Sequence, residues 1–218
     1  MRLVVFDVDG TLVDSQHHIC RAMDMAFEHA GLTPLPRPQI LGIVGLSLPV
    51  AVAQLAPEAD PPTQARIVAG YRAAFQMSRM TEEAPLFPGA MACLDGLSAR
   101  DDMLLAVATG KSRRGLDAMI EAHGLVGRFV SLQTADDHPS KPHPAMLLAA
   151  IAEGGVEAGR AAMVGDTSFD IEMARGAGAT GFGVAWGYHP AAALEQAGAA
   201  LVAPDFPALT AAIEDWAQ

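Results

Sequence analysis

The chain has 218 residues, enough for one large domain or a domain with an insertion, and half of them are apolar, ample for a core. A net charge of −11, from 14 basic against 25 acidic residues, disfavours nucleic acid and anionic membranes as general partners. Apolar runs break before the ~18 residues of a membrane span. No basic leader precedes the first strand, and Cys20 and Cys93 are far apart, so a cytoplasmic protein with reduced thiols is expected.

Leu3–Phe6 is a continuous apolar run, the pattern of a strand buried on both faces, and it stops at Asp7. Asp9 follows, and Gly10 and Thr11 open a turn. Two carboxylates this close disfavour each other's ionisation, a cost that a divalent cation removes. Ser15 is placed to cap a helix in which Ile19, Ala22, Met23, Ala26, Phe27 and Ala30 recur at three- and four-residue spacing until Gly31. Pro38 can start a short helix, Leu48, Val52 and Leu55 suit another, and Pro61-Pro62 precede a longer one with Ile67, Tyr71 and Phe75. No strand is expected between Asp14 and Glu83.

The texture then changes. Pro88 opens a helix with Met91, Leu94 and Leu97. Strands are expected at Met103–Ala108, Phe129–Leu132, Ala161–Val164, Thr180–Val184 and Leu201–Val202. Helices alternate with them at Arg113–His123, Pro144–Ala152, Phe169–Arg175, Ala191–Gln196 and Pro207–Trp216. Alternation of this kind predicts an α/β fold with a Rossmann-like parallel sheet covered on both faces. The all-helical stretch 14–83 is then an insertion into a core built from 1–13 and 84–218. Gly176, Gly178 and Gly181 spell GxGxxG, but they follow a helix and precede a strand, the reverse of the dinucleotide-binding order.

Open parallel sheets bind ligands beyond the carboxyl ends of their strands. The polar residues that follow the apolar runs are Asp7 and Asp9, Thr109, and Asp166 with Asp170; Lys141 joins from the loop before Pro142–Pro144. An EF-hand reading of the acidic pair fails, because its glycine comes later and its acids repeat at alternate positions. Taken singly, Thr109 or Asp166 would be read as a helix cap and Lys141 as a solvated surface group.

Taken together, Asp7-Val8-Asp9-Gly10-Thr11, Ala108-Thr109-Gly110, Ser140-Lys141-Pro142 and Gly165-Asp166-Thr167-Ser168-Phe169-Asp170 are similar to the four motifs of the haloacid dehalogenase superfamily, in its phosphatase branch. The helical insertion lies where that family places a cap. The resemblance implies Asp7 as the nucleophile that forms an aspartyl-phosphate and Asp9 as general acid and base. It implies Mg²⁺ held by the Asp7 carboxylate, the Asp9 carbonyl and Asp166, with Asp170 as a further ligand or a support to one. Thr109, Lys141 and the metal would stabilise the phosphoryl oxygens, helped by the turns at Gly10, Thr11 and Gly110.

Lys111 is open between a substrate contact and an exposed, solubilising role. Gly45 and Ser47, in a loop between two cap helices, stand where relatives reach down to the substrate. His17, His18, His138 and His143 are expected to be peripheral.

Asp9 separates this chain from the dehalogenases and phosphonate-cleaving members, which lack an aspartate there. Ile19 occupies the position where the sugar-phosphate mutases carry a histidine, so hydrolysis is preferred to mutation of a sugar phosphate. The resemblance extends to phosphoglycolate phosphatases. A small phosphorylated metabolite is the expected partner, with a sugar phosphate, a nucleotide or pyrophosphate as alternatives. A non-catalytic phosphometabolite sensor is the reading from another class. A monomer and a homodimer are both open.

Overall fold

The computed structural model describes residues 1–81 and 83–218, those at 79–81 by their backbone alone. β1 (Arg2–Phe6) leads directly into four helices, α1 (Gln16–His29), α2 (Arg37–Leu41), α3 (Leu48–Leu55) and α4 (Pro61–Thr81). Next come α5 (Ala90–Ser98), β2 (Met103–Thr109), α6 (Arg113–Ala122), β3 (Ser131–Thr134) and α7 (Ala145–Gly154). The chain closes with β4 (Ala161–Gly165), α8 (Ser168–Ala177), β5 (Thr180–Val184), α9 (Ala191–Ala197), β6 (Leu201–Ala203) and α10 (Phe206–Ala217).

The six strands form one parallel sheet in the order β3-β2-β1-β4-β5-β6, with β1 in the interior between β2 and β4. Alternate residues of a strand face opposite sides. Val4 and Phe6 pack with Leu94 of α5, Leu116 of α6 and Leu209 of α10, whereas Leu3 and Val5 pack with Met146 and Leu147 of α7 and Met173 of α8. Both faces are therefore covered, which is why β1 reads as an unbroken apolar run. Crossovers from β1 and from β3 leave in opposite directions, which opens a crevice past the carboxyl ends of β1 and β4.

Helices α1 to α4 bury a separate apolar cluster that includes Ile19, Met23, Phe27, Ile40, Val52 and Ile67. Among the described residues no strand interrupts this stretch, as expected.

Several boundaries differ from expectation, two of them for a reason visible in the backbone. β3 begins at Ser131 rather than Phe129: Val130 donates its backbone N–H to Leu105, and pairing with β2 then runs Ala106 with Ser131 to Thr109 with Thr134. Polar Gln133 and Thr134 complete this short edge strand, and an apolar-run criterion passes over them. α5 starts at Ala90, not at Pro88, because Gly89 is left-handed (φ 92°) and turns the chain first.

Leu94 is fully buried between α5 and the sheet, whereas Leu148 on α7 is 46% exposed. Leu94→Ala is expected to lower the unfolding free energy by about 2–5 kcal/mol, and Leu148→Ala by about 0.5 kcal/mol or less. Urea denaturation of both variants checks this; equal effects would contradict the placement of the core.

Candidate active site

The carboxyl ends of the central strands deliver the charged groups. Asp7 follows β1 and Asp166 follows β4, and Lys141 enters from the loop ahead of α7; each is essentially inaccessible to solvent. The Lys141 Nζ donates to Asp7 Oδ1 at 2.7 Å and to Asp170 Oδ1 at 2.6 Å. Asp170 closes a capping box with Thr167 at the start of α8, its Oδ2 accepting from the Thr167 backbone N–H and hydroxyl. One residue thus begins the helix and anchors the lysine.

Asp166 is held on both sides. Its Oδ1 accepts from the Thr11 hydroxyl at 3.0 Å and its Oδ2 from the Tyr188 N–H at 2.8 Å. The Asp166 carboxylate lies in the space that a Cβ on Gly10 would fill, and Gly10 has φ +87°, so only glycine fits this turn.

Asp7, Asp166 and Asp170 can each present a carboxylate oxygen within 4.8 Å of the others. Burial pushes the Asp7 carboxyl up to about 7; the Lys141 charge opposes this and the Asp170 charge adds to it. Burial, and then the Asp7 and Asp170 charges, hold Asp166 well above the usual carboxylate range. Burial works to lower the Lys141 ammonium, but the two carboxylates beside it prevail and raise it. Three acids against one cation leave an excess of negative charge in a buried place, and Asp7 Oδ2 is buried without a hydrogen-bond partner. This donor set of hard oxygens fits a divalent cation such as Mg²⁺.

Asp9 lies one step outward. Its carboxylate takes both hydrogen bonds from Lys111 Nζ, at 2.9 and 2.7 Å, and a third from the Ser15 hydroxyl at 2.6 Å. Ser15 Oγ also meets the Tyr188 hydroxyl at 3.2 Å. The Lys111 ammonium lies 4.9 Å from the centre of the Phe75 ring on α4, within cation–π range.

Above Asp7 and Asp9 is a chamber of about 460 Å³ between the sheet and α1 to α4. Thr109, Gly110 and Lys111 line it from below, and Gly45 and Ser47 from the loop before α3. A Cβ on Gly110 would stand 2.6 Å from the Gly45 carbonyl oxygen, so this loop can settle onto the β2 turn only where the side chain is a hydrogen. The Ser47 N–H donates to Ser140 Oγ at 2.8 Å, one residue before Lys141.

The chain is similar to known proteins over most of its length. Residues 4–184 match the family described as haloacid dehalogenase-like hydrolase. The chain belongs to that family. It is 38% identical over 202 residues to the protein named "Probable phosphatase IndB" of Dickeya dadantii, across 89% of this chain and 86% of that one. It is 34% identical over 227 residues to a phosphoglycolate phosphatase of Rhodospirillum rubrum, across 99% and 90%. The crystal structure of a hydrolase from Pseudomonas syringae superposes over 100% of both chains with a TM-score of 0.89 at 26% identity. Kinship with haloacid dehalogenase-like phosphatases makes the chain a phosphatase-type enzyme.

The predicted site residues fall into two groups. Asp7, Asp9, Thr109, Gly110, Lys111, Gly45 and Ser47 line the chamber. Gly10, Thr11, Lys141, Asp166 and Asp170 lie behind its floor and hold it in shape. Lys111 is neither exposed nor unpaired, since its side chain is 11% exposed and engaged by Asp9. Ser15 precedes α1 as expected, but its hydroxyl makes no cap bond and turns to Asp9 and Tyr188 instead. Tyr188 and Phe75 were not singled out as site residues from sequence. Tyr188 could have been found by extending the strand-end rule to the loop after β5; Phe75 carries the same helical spacing as its core neighbours and gives no separate signal.

In the metal-free protein the folded-state Asp7 value of about 7 stands above its ordinary 3.8. The neutral carboxyl is thus the favoured folded form. Its contribution is complete below about 3.8 and is lost as pH rises to about 7. Asp7→Asn carries no such dependence. In chelator, wild type is expected to lose stability relative to this variant across that window, read from urea melts at stepped pH; a constant difference would contradict the burial argument.

Proposed function

We propose that the chain is a Mg²⁺-dependent phosphatase that hydrolyses a small phosphomonoester through an aspartyl-phosphate on Asp7. The observation that carries this reading is the pairing of a buried carboxylate, Asp7, at the chamber floor with a second carboxylate, Asp9, two residues on and held separately by Lys111 and Ser15. Binding alone requires neither a nucleophile nor a proton carrier, so the pair argues against a passive sensor.

In the first half-reaction an Asp7 oxygen attacks phosphorus and the ester oxygen leaves, taking a proton from Asp9. In the second, Asp9 accepts a proton from the water that hydrolyses the acyl phosphate. Three donated hydrogen bonds, two from Lys111 Nζ and one from the Ser15 hydroxyl, hold the Asp9 carboxylate in place for these roles. A phosphoryl dianion entering beside Lys111 supplies a competing partner for the ammonium. Thr109 Oγ1 accepts from the Lys111 N–H at 3.2 Å, which leaves the hydroxyl proton to donate. Lys141 uses two of its three N–H bonds on Asp7 and Asp170, and the third remains for a phosphoryl oxygen.

Asp7 and Asp166 would hold Mg²⁺, together with the Asp9 carbonyl, and the ion when bound would offset charge on the carboxylates and the phosphoryl group. Asp170 then acts chiefly through Lys141. Residues 14–83 serve as the cap that closes over the reaction and excludes water. Ile19 puts an aliphatic side chain in the chamber wall, with no second proton carrier at that point, which favours hydrolysis over a mutase reaction. A cytoplasmic setting accords with two free cysteines, and among the described residues no helix is long and apolar enough to cross a membrane. A small metabolite is the partner this reading calls for, acted on by a monomer or a homodimer.

Phosphate release from a panel of small phosphomonoesters, phosphoglycolate included, tests the reading. Asp7→Asn should reduce turnover by about a thousandfold or more, with the thermal transition retained; residual turnover near wild type would exclude the covalent route. Chelator should stop release and added Mg²⁺ should restore it and raise Tm in wild type, less so in Asp166→Asn. Full activity in chelator would remove the metal from the mechanism.

A further inference from the structure

The chamber is larger and less polar than a two-carbon acid needs. At about 460 Å³ it falls in the size range of pockets that enclose whole small-molecule ligands. Its lining from the helical side includes the apolar Ile19 and Met23 of α1, Tyr71 and Phe75 of α4, and Ile43, Leu46 and Leu48 of the α2–α3 loop and the start of α3, beside the polar Ser47 and Gln76.

The cations available to a substrate are placed unevenly. Lys111, the one beside the floor, is engaged by both oxygens of Asp9. Arg72 and Arg114 also line the chamber, but their side chains are exposed, so they serve its mouth. A leaving group with a carboxylate one carbon from the ester oxygen, as in phosphoglycolate, would set that charge against Ile19, Met23 and Phe75. Burying an ionised carboxylate without a partner is heavily disfavoured, and it would also face Asp9.

Ile43 sharpens the point. It is half-buried, lines the chamber, and packs into none of the apolar clusters formed by the described residues. An isoleucine in a loop that contributes nothing to a core has the chamber itself as its surroundings.

Resting on the phosphatase reading, we infer that the substrate is a phosphomonoester whose leaving alcohol is neutral and bulky, carrying an apolar or ring-bearing body that fills the cap side of the chamber, and that Ile43 helps select it. The phosphoryl group sits at Asp7, the ester oxygen beside Asp9, and the body of the alcohol against the aliphatic wall.

The test compares kcat/KM for benzyl phosphate and 2-phosphoglycolate, both esters of alkyl alcohols, in wild type and in Ile43→Arg. Wild type should prefer benzyl phosphate by about tenfold or more, and Ile43→Arg should shrink that ratio by a similar factor, mainly through a lower KM for phosphoglycolate. A wild-type preference for phosphoglycolate would overturn the inference while leaving the phosphatase reading intact, and so would a ratio unmoved by Ile43→Arg in a variant that keeps the wild-type thermal transition. Release from neither ester would sink the phosphatase reading instead. Calorimetric titration of the same two compounds then decides the inference: tighter binding of benzyl phosphate supports it, and equal or weaker binding overturns it.

Discussion

Three buried carboxylates share one buried ammonium, and much of the architecture exists to make that tolerable. Asp7, Asp166 and Asp170 would repel one another at this range, and Lys141 can satisfy only two of them directly. The remaining stabilisation comes from fixed dipoles: the Thr11 hydroxyl and Tyr188 N–H on Asp166, and the Thr167 backbone N–H and hydroxyl on Asp170. Each donor is fixed by an element end, after β1, after β5 or at the start of α8. A site of this kind is preorganised, because no donor has to be recruited when charge moves. The cost is borne by the two-sided core, where Leu3, Val4, Val5 and Phe6 are wholly buried immediately before the first acid.

One loop of the four-helix insertion makes three contacts with this centre. The Gly45 carbonyl rests where a Gly110 side chain would be, the Ser47 N–H reaches Ser140, and the Gly42 carbonyl meets His189 Nε2 at 3.1 Å. His189 Nδ1 accepts from the Ser168 N–H, so the proton sits on Nε2 and is donated to Gly42. The loop therefore touches the segments carrying Thr109, Lys141 and Asp166. Its apolar residues contribute to the chamber lining, and the same contacts that seat the insertion fix the shape of that lining.

Much of this was legible in the chain. β1 followed by Asp7 and Asp9 could be read because a doubly buried strand cannot hold a charge inside, so the first acid marks its end. Strand-helix alternation after Met103 required a parallel sheet, and the missing strands between Asp14 and Glu83 required an insertion. Lys141 was legible only as part of an ordered set, since no local pattern distinguishes a buried lysine from a solvated one. The Lys111–Asp9 pair was not legible at all: it joins residues 102 positions apart across β1 and β2, and the expectation for Lys111 stopped at substrate or solvent. Ser15 was misjudged for a related reason. A serine before a helix ordinarily caps it, and only tertiary structure shows a stronger acceptor, Asp9, within reach.

Lys111 also reconciles a strongly acidic chain with an anionic substrate. At −11 the overall field repels a phosphate ester, so attraction has to be local. Exposed Arg72 and Arg114 supply it at the chamber mouth, where the ester first arrives. Farther in, Lys111 is already paired with Asp9 and lies against the Phe75 ring. On the proposed reading, an incoming phosphoryl group competes with Asp9 for that ammonium. Success in that competition would loosen the Lys111 hold on the Asp9 carboxylate. On that reading, substrate arrival and the release of Asp9 from Lys111 are two sides of one exchange of partners, and Phe75 makes α4 a party to it.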